Sequence, residues 1–253
     1  MTEFHNFYIL LPFAFIVGIA LGSFVTMASY RLPLGSDIVF KPSYCPNCDT
    51  TLKILDLFPL FSWIFQRGKC RHCRSPISIR YPLTEFALGI VCVMLVFFYG
   101  LTISTLFFIL LATELAILIV TDLEHFIIPD SLQIALFVTG IAYCIYRNTP
   151  AEGVFISVIT GLSIGLLLHY GYFFLRHKDG LGWGDVKFLA VAGAWLPLSA
   201  FVPFLFGAGV IGTITGLLWR LKGEGAIFPF GPALACSLLL NVLIPDIIDK
   251  IFL

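Results

Sequence analysis

Two aspartates stand where an apolar chain has least use for a charge. Asp122 closes the apolar run AILIVTDLEHFIIPD, and Asp185 opens another in GLGWGDVKFLA, after Gly180, Gly182 and Gly184. Two carboxyl groups brought to one face can share a proton. The ionised one activates a water and the protonated one polarises a carbonyl, which is the chemistry of aspartic proteases. The glycines permit positive φ and close backbone approach, so a turn can hold Asp185 at a helix start while an extended peptide passes alongside. The competing structural reading makes Asp185 an ordinary helix N-terminal cap. Helix dipoles add an asymmetry: Asp122 lies at the negative end of its helix and Asp185 at the positive end of its own, which places the shared proton on Asp122.

A second constellation is Cys45, Cys48, Cys70 and Cys73, two C-x-x-C pairs with twenty-one residues between them. Each pair can form one knuckle that offers two sulfurs, and together they suit a tetrahedral four-thiolate zinc site. Disulfide pairing is the alternative, and a reducing cytoplasm disfavours it. His72 lies inside the second knuckle as a spectator. Cys92, Cys144 and Cys236 fall in apolar runs, where free cysteine acts as a small buried hydrophobe.

Membrane helices must position these groups. Hydrophobic residues make up 59% of the 253, charged residues only 12%, and the mean hydropathy is +0.98, against about 25% charged in a soluble domain. Eight apolar segments, at roughly 7–30, 82–99, 101–121, 131–147, 152–175, 186–199, 200–219 and 230–249, are long enough or nearly so to span about 30 Å of hydrocarbon. The sixth is short and meets the seventh near Pro197. The expected fold is thus an all-α polytopic membrane protein of about eight transmembrane helices, with a cytoplasmic zinc-knuckle loop between the first two. Its parts are a first helix at 1–30, a four-cysteine zinc-binding loop at 31–81 and a transmembrane core at 82–253. The first segment reads as a retained helix, being too long for a signal-peptide core and lacking a small-residue cleavage site.

Net charge is zero, but its distribution is uneven. Eight Lys and Arg lie in residues 31–80; Arg176, Lys178 and Lys187 flank the fifth connection, and Arg220 and Lys222 the seventh. Arg147 and Lys250 alone fall on the opposite side, thirteen against two. The positive-inside rule then places the 31–80, 122–130, 176–187 and 220–229 loops in the cytoplasm and both termini outside. Asp122 and Asp185 reach the same cytoplasmic face. With three acids, the 31–80 loop carries +5, which suits an anionic lipid surface. Nothing in the motifs points to a nucleic-acid partner.

Other hydrolytic chemistries find less support. No H-E-x-x-H pair exists among His5, His72, His125, His169 and His177. Ser163 in GLSIG matches G-x-S-x-G, but within a glycine-rich helix close packing explains it better. Glu85, Glu114, Glu124 and Asp130 complete the acids in or beside apolar segments.

In order and spacing, GSFVTMASYRLP (22–33), CPNC (45–48), RGKCRHCRSPISIRYPLTE (67–85), TDLEHFIIPD (121–130), GWGDVKFLA (182–190) and PFGPALA (229–235) resemble the bacterial prepilin peptidases, or type IV leader peptidases. These belong with the GxGD intramembrane aspartyl proteases. The resemblance implies Asp122 and Asp185 as the catalytic pair, with Gly182, Gly184, Lys187, Pro232, Ala233 and Leu234 binding substrate or lining the site. It also implies leader cleavage from prepilins or pseudopilins, of the kind used in type IV pili and type II secretion, at the cytoplasmic face of the bacterial inner membrane. Members with both cysteine pairs also methylate the new N-terminus with S-adenosylmethionine. No G-x-G-x-x-G turn marks where that donor would bind; Glu85 and Arg80–Pro82 are the nearest polar candidates.

A proton-coupled transporter with Glu114, Asp122 and Asp185 as relay carboxylates is the alternative. It leaves the cysteine loop unused, and no internal repeat of the transporter kind is apparent. A zinc-knuckle scaffold without catalysis would leave the GxGD turn unused.

Overall fold

The computed structural model describes residues 2–38, 40–177, 180–223 and 228–252. Lys178 and the 224–227 tip of the 220–229 connection, both used above in placing the loops, lie outside the described residues. Among the described residues the regular structure is helical: α1 (Thr2–Arg31), α2 (Phe61–Phe65), α3 (Arg80–Tyr99), α4 (Ile103–His125), α5 (Asp130–Tyr146), α6 (Ala151–Arg176), α7 (Trp183–Ala192), α8 (Phe201–Leu221) and α9 (Gly231–Phe252). Each apolar segment expected from the sequence contains a helix, although the sixth is α-helical only to Ala192. Among the described residues, five stretches are long and apolar enough to cross a bilayer: Leu10–Arg31, Arg80–Tyr99, Ile103–His125, Ala151–Leu175 and Leu198–Leu221. Asp130–Tyr146 and Gly231–Ile244 are apolar but shorter.

α7 differs from the expected sixth span. Its ten residues reach only about 15 Å, half a hydrocarbon core. Its end is fixed by neighbours: a Cβ on Gly193 would meet the backbone of Ser157 and Val158 at 2.5 Å, and Trp195 Nε1 donates to the Leu136 carbonyl at 2.9 Å. Pro197 then follows, and a proline disfavours helix in the residue before it.

The chain divides into two compact units, Met1–Thr113 and Glu114–Leu253, with the boundary inside α4. In the first, α1 packs along α3. Small residues set how closely these helices approach: a Cβ on Gly18 would lie 2.7 Å from Gly89 Cα, and one on Gly22 would lie 2.5 Å from Glu85 Cα. Without a hydrophobic driving force between helices in lipid, such close backbone packing supplies much of the association.

In the second unit α7 is enclosed by α5, α6 and α9, which explains how so short a helix can be buried along Val186, Phe188 and Leu189. The GLSIG stretch of α6 provides the seat. Gly161 faces the Leu189 carbonyl and Gly165 faces Val186, while the Ser163 hydroxyl is occupied by the Ile159 carbonyl of its own helix at 2.7 Å. The G-x-S-x-G pattern is therefore a packing surface.

Candidate active site and cysteine cluster

Asp122 lies in the last turn of α4 and Asp185 in the first turn of α7. Asp122 is only 6% exposed, and its Oδ2 accepts the backbone N–H of Gly231, the first residue of α9, at 2.7 Å. Asp185 accepts a backbone hydrogen bond from Gly182, the N-cap of its own helix. That contact has the form of the N3 half of a capping box, so the capping reading of Asp185 is met in part. Capping alone does not explain the second charge: the two carboxyl groups are near enough to interact electrostatically.

The glycines around Asp185 serve close approach. Neither Gly182, with φ −63°, nor Gly184, inside α7, has positive φ, so at these two positions the left-handed conformation that glycine permits is not used. A Cβ on Gly182 would stand 3.3 Å from Asp185 Oδ2, and one on Gly184 would stand 3.3 Å from Ile128 Cβ. Gly231 is tighter still, since its Cβ would meet Asp122 Oδ2 at 2.7 Å. The helix-dipole asymmetry expected from the sequence is also offset, because Asp122, at the end of α4, faces the start of α9 as well. Each aspartate thus has a helix N-terminus and a glycine N–H.

Two further residues position the loop, and the sequence reading missed both roles. His169 of α6, 8% exposed, has Nδ1 2.7 Å from the Leu181 carbonyl oxygen and its ring 4.7 Å from that of Trp183. Gln133 of α5, 4% exposed, donates from Nε2 to the Gly184 carbonyl at 3.2 Å, while its buried Oε1 has no hydrogen-bond partner among the described residues. The available signal was a polar side chain isolated in an apolar helix.

The other expected site residues divide into three groups. Gly182 and Gly184 flank Asp185 as anticipated. Pro232 follows the Asp122-bound glycine and is partly exposed, whereas Ala233 and Leu234 are fully buried. Lys187 points elsewhere, its Nζ pairing with Asp130 Oδ1 at 2.7 Å on an exposed surface. Glu114 accepts the Thr139 hydroxyl at 2.9 Å.

If the two aspartates act on a peptide bond, as the sequence leads one to expect, Gly231→Ala should reduce turnover sharply and KM little. The added methyl displaces a carboxyl oxygen without touching the exposed surface, and small misplacements at a reacting centre cost about 100-fold. Kinetics on a peptide substrate read this directly; a wild-type kcat would show that the Gly231 contact is incidental.

In the first unit, the four cysteines form the expected cluster. Their Sγ atoms all lie within 4.8 Å of one another, and none is in a disulfide. The two knuckles repeat one backbone design. Cys45 N donates to Thr50 O at 3.0 Å and Cys70 N to Ser75 O at 2.9 Å, while Asp49 N donates back to Cys45 O at 2.9 Å and Arg74 N to Cys70 O at 3.0 Å. Asp49 and Arg74 both take positive φ, and an isolated antiparallel bridge closes each knuckle, Tyr44 with Thr51 and Lys69 with Pro76.

The twenty-one intervening residues are absorbed by a 3-10 turn at Ile54–Asp56 and by α2. The Ser75 hydroxyl holds the Cys73 thiol down at about 6, and the Asn47 backbone lowers that of Cys45. Cys48 is raised despite the Thr50 hydroxyl, by burial and the neighbouring sulfurs. Four cysteine sulfurs this close, none of them in a disulfide, surround a space that suits a cation. The cluster therefore has the donor set of a metal centre.

Comparison with known proteins places both units. Residues 16–99 match the family model for the bacterial peptidase A24 N-terminal domain, and residues 109–217 match that for the type IV leader peptidase family. A prepilin leader peptidase/N-methyltransferase of Neisseria gonorrhoeae is 32% identical over 251 residues, covering 89% of this chain and 87% of its own. Proteins of the same name from Aeromonas hydrophila and Stutzerimonas stutzeri are 29% identical over 267 residues and 30% identical over 260. They cover 94% and 88% of this chain and 92% and 87% of their own lengths. No solved structure matches.

Proposed function

Because this chain belongs to the type IV leader peptidase family, we propose that it is a membrane aspartyl endopeptidase that cuts the basic leader from prepilins or pseudopilins and then N-methylates the new terminus. Asp122 and Asp185 form the catalytic pair. The observation that carries this reading is geometric: within one compact unit each carboxyl group stands in a terminal turn of an apolar helix, is held by a glycine N–H at a helix start, and lies near enough to the other to interact with it. The ionised member takes a proton from water as its oxygen attacks the scissile carbonyl, and the protonated member hydrogen-bonds the carbonyl oxygen as charge develops there. Collapse of the tetrahedral centre breaks the C–N bond, and the amine leaves with a proton from the pair. The backbone at Gly182, Gly184 and Pro232 borders the substrate, while Ala233 and Leu234 support α9 from behind. Lys187 and its partner Asp130 flank the site at the exposed surface.

The cysteine cluster holds one zinc ion. A tetrahedral site with Zn–S of about 2.3 Å requires sulfurs about 3.8 Å apart, and Cys45 Sγ and Cys73 Sγ are 3.8 Å apart. Zinc at this site is structural, since four thiolates leave it no open position. S-adenosylmethionine supplies, when bound, a methyl group on a sulfonium sulfur; the amine nitrogen gains that carbon, sulfur keeps the bonding pair, and the amine proton passes to water.

The protein is a multi-pass membrane protein by its apolar helices. We place it in the bacterial inner membrane with the catalytic face in the cytoplasm, on the thirteen-to-two division of basic residues. A prepilin, with a polar leader ahead of an apolar helix, presents its cleavage site at that depth. The transporter reading gains nothing from the comparisons, and Glu114 is taken up by Thr139.

Purified protein in bilayer nanodiscs, incubated with a prepilin, should release the leader in a single cut. Added S-adenosylmethionine should leave the mature product one methyl group heavier. Intact-mass measurement reads both steps, and an uncut prepilin under these conditions would overturn the peptidase reading.

A further inference from the structure

The first unit contains a cavity of about 830 Å³ between α1, α3 and the cysteine loop, within the range of about 300–1,000 Å³ for sites that take small molecules. Its wall is partly aromatic, with Phe24 and Tyr30 from α1, Trp63 from α2 and Tyr81 from α3. Its charged groups are mostly committed. The Arg31 guanidinium donates to the carbonyls of Asp37, Lys41 and Pro42 at 3.0, 2.8 and 3.1 Å. Asp56 accepts from Lys53 N and Gln66 Nε2 and pairs with Arg71. Lys41 Nζ lies 5.2 Å over the Tyr44 ring.

Glu85 is the exception. It lines the cavity at 7% exposure, and its carboxyl group accepts the Leu60 N–H at 2.7 Å and the Ser23 hydroxyl. No cation pairs with it among the described residues. A buried carboxylate without a counter-charge is costly unless something arrives to meet it.

These features define the ligand by its chemistry. It carries positive charge to face Glu85 and a flat ring to lie on aromatic faces, where cations also bind well. It needs no phosphate anchor, because the buried arginine is already spent on carbonyls. S-adenosylmethionine meets each requirement, with a sulfonium and an ammonium group, an adenine ring and no phosphate. We infer that this cavity is the methyl-donor site, with Glu85 facing the donor's positive charge and the aromatic wall taking its adenine. The inference rests on the methyl-transfer half of the function proposed above, and it gives the cysteine loop a role in shaping one wall of that site.

The test uses full-length protein in nanodiscs and reads donor binding by equilibrium dialysis with labelled S-adenosylmethionine. Glu85→Gln should weaken binding about tenfold or more, as expected for loss of a buried charge partner, while prepilin cleavage and metal content stay at wild-type levels. Unchanged donor affinity in this variant overturns the placement of the site, even where wild-type protein methylates normally. Lost methylation with unchanged donor affinity does the same, putting Glu85 on the side of the acceptor amine. Wild-type protein that cleaves but neither binds donor nor methylates refutes the underlying methyl-transfer reading instead. Should Glu85→Gln fail to fold, photo-crosslinking of labelled donor to wild-type protein decides the matter. Adducts within residues 20–85 support the cavity, and adducts confined to residues 114–253 overturn it.

Discussion

Asp122→Asn and Asp185→Asn should each lower prepilin cleavage by about 1,000-fold or more, as loss of a general acid or base does when two groups act as a unit. Asparagine matches aspartate in size, and its carbonyl oxygen can still accept the Gly231 N–H that Asp122 receives at 2.7 Å. The second unit should therefore fold normally, and thermal unfolding of the variants should remain near that of wild type. Neither variant should change methylation of a peptide supplied already cut, since the cysteine loop and its cavity lie in the other compact unit. With one carboxyl group ionised and its partner protonated, the wild-type rate should fall on both sides of a pH maximum. Cleavage rates on a purified prepilin, measured across pH for all three proteins, test the rate losses and the pH maximum, and thermal unfolding and methylation of a pre-cut peptide test the rest.

Cys48→Ser and Cys73→Ser should each release the metal. The four sulfurs lie within 4.8 Å of one another, and serine in place of one of them leaves three thiolates with an incomplete shell. Binding of structural zinc amounts to about 10–16 kcal/mol in isolated knuckle peptides, and where the site exists only in the folded state that energy is folding energy. Here it is spread over the short 41–79 segment, which contains few buried apolar side chains: Cys45 and Cys70 are buried, whereas Phe58, Phe61 and Phe65 are exposed. Metal content should drop from one zinc per chain to below about a tenth, and limited proteolysis should then cut between residues 41 and 79. Wild-type protein that is metal-free, with four freely alkylated thiols, would contradict this account.

Helices and cysteines were legible in the sequence because their signals are local. Apolar run length placed the long helices to within about five residues at either end, and the C-x-x-C spacing implied two knuckles like those that the matching hydrogen bonds close. The GLSIG stretch was also legible as packing, since no strand precedes it. Contacts between distant parts of the chain were less accessible. The Gly231 N–H that holds Asp122 comes from 109 residues away, and nothing in PFGPALA shows that its glycine, rather than its Pro-Ala-Leu, meets the carboxyl group. The glycines before Asp185 suggested positive φ, but their lack of a side chain serves proximity to Ile128 and to Asp185 itself. α7 appeared as a short span because hydropathy counts apolar residues, whereas its length is set by Gly193, Trp195 and the helices around it. Gln133 and His169 gave only the faint signal of a lone polar group in an apolar helix.

The central claim is that Asp122 and Asp185 act as one unit on one peptide bond. Single-turnover cleavage of a prepilin by wild type, Asp122→Asn, Asp185→Asn and the double variant measures this most directly. If the pair works as a unit, both single variants and the double variant fall to the same residual rate, because removing the second member of a disabled pair costs nothing further. A single variant that keeps a rate within about tenfold of wild type, or a double variant whose loss is the product of the two single losses, would contradict the account.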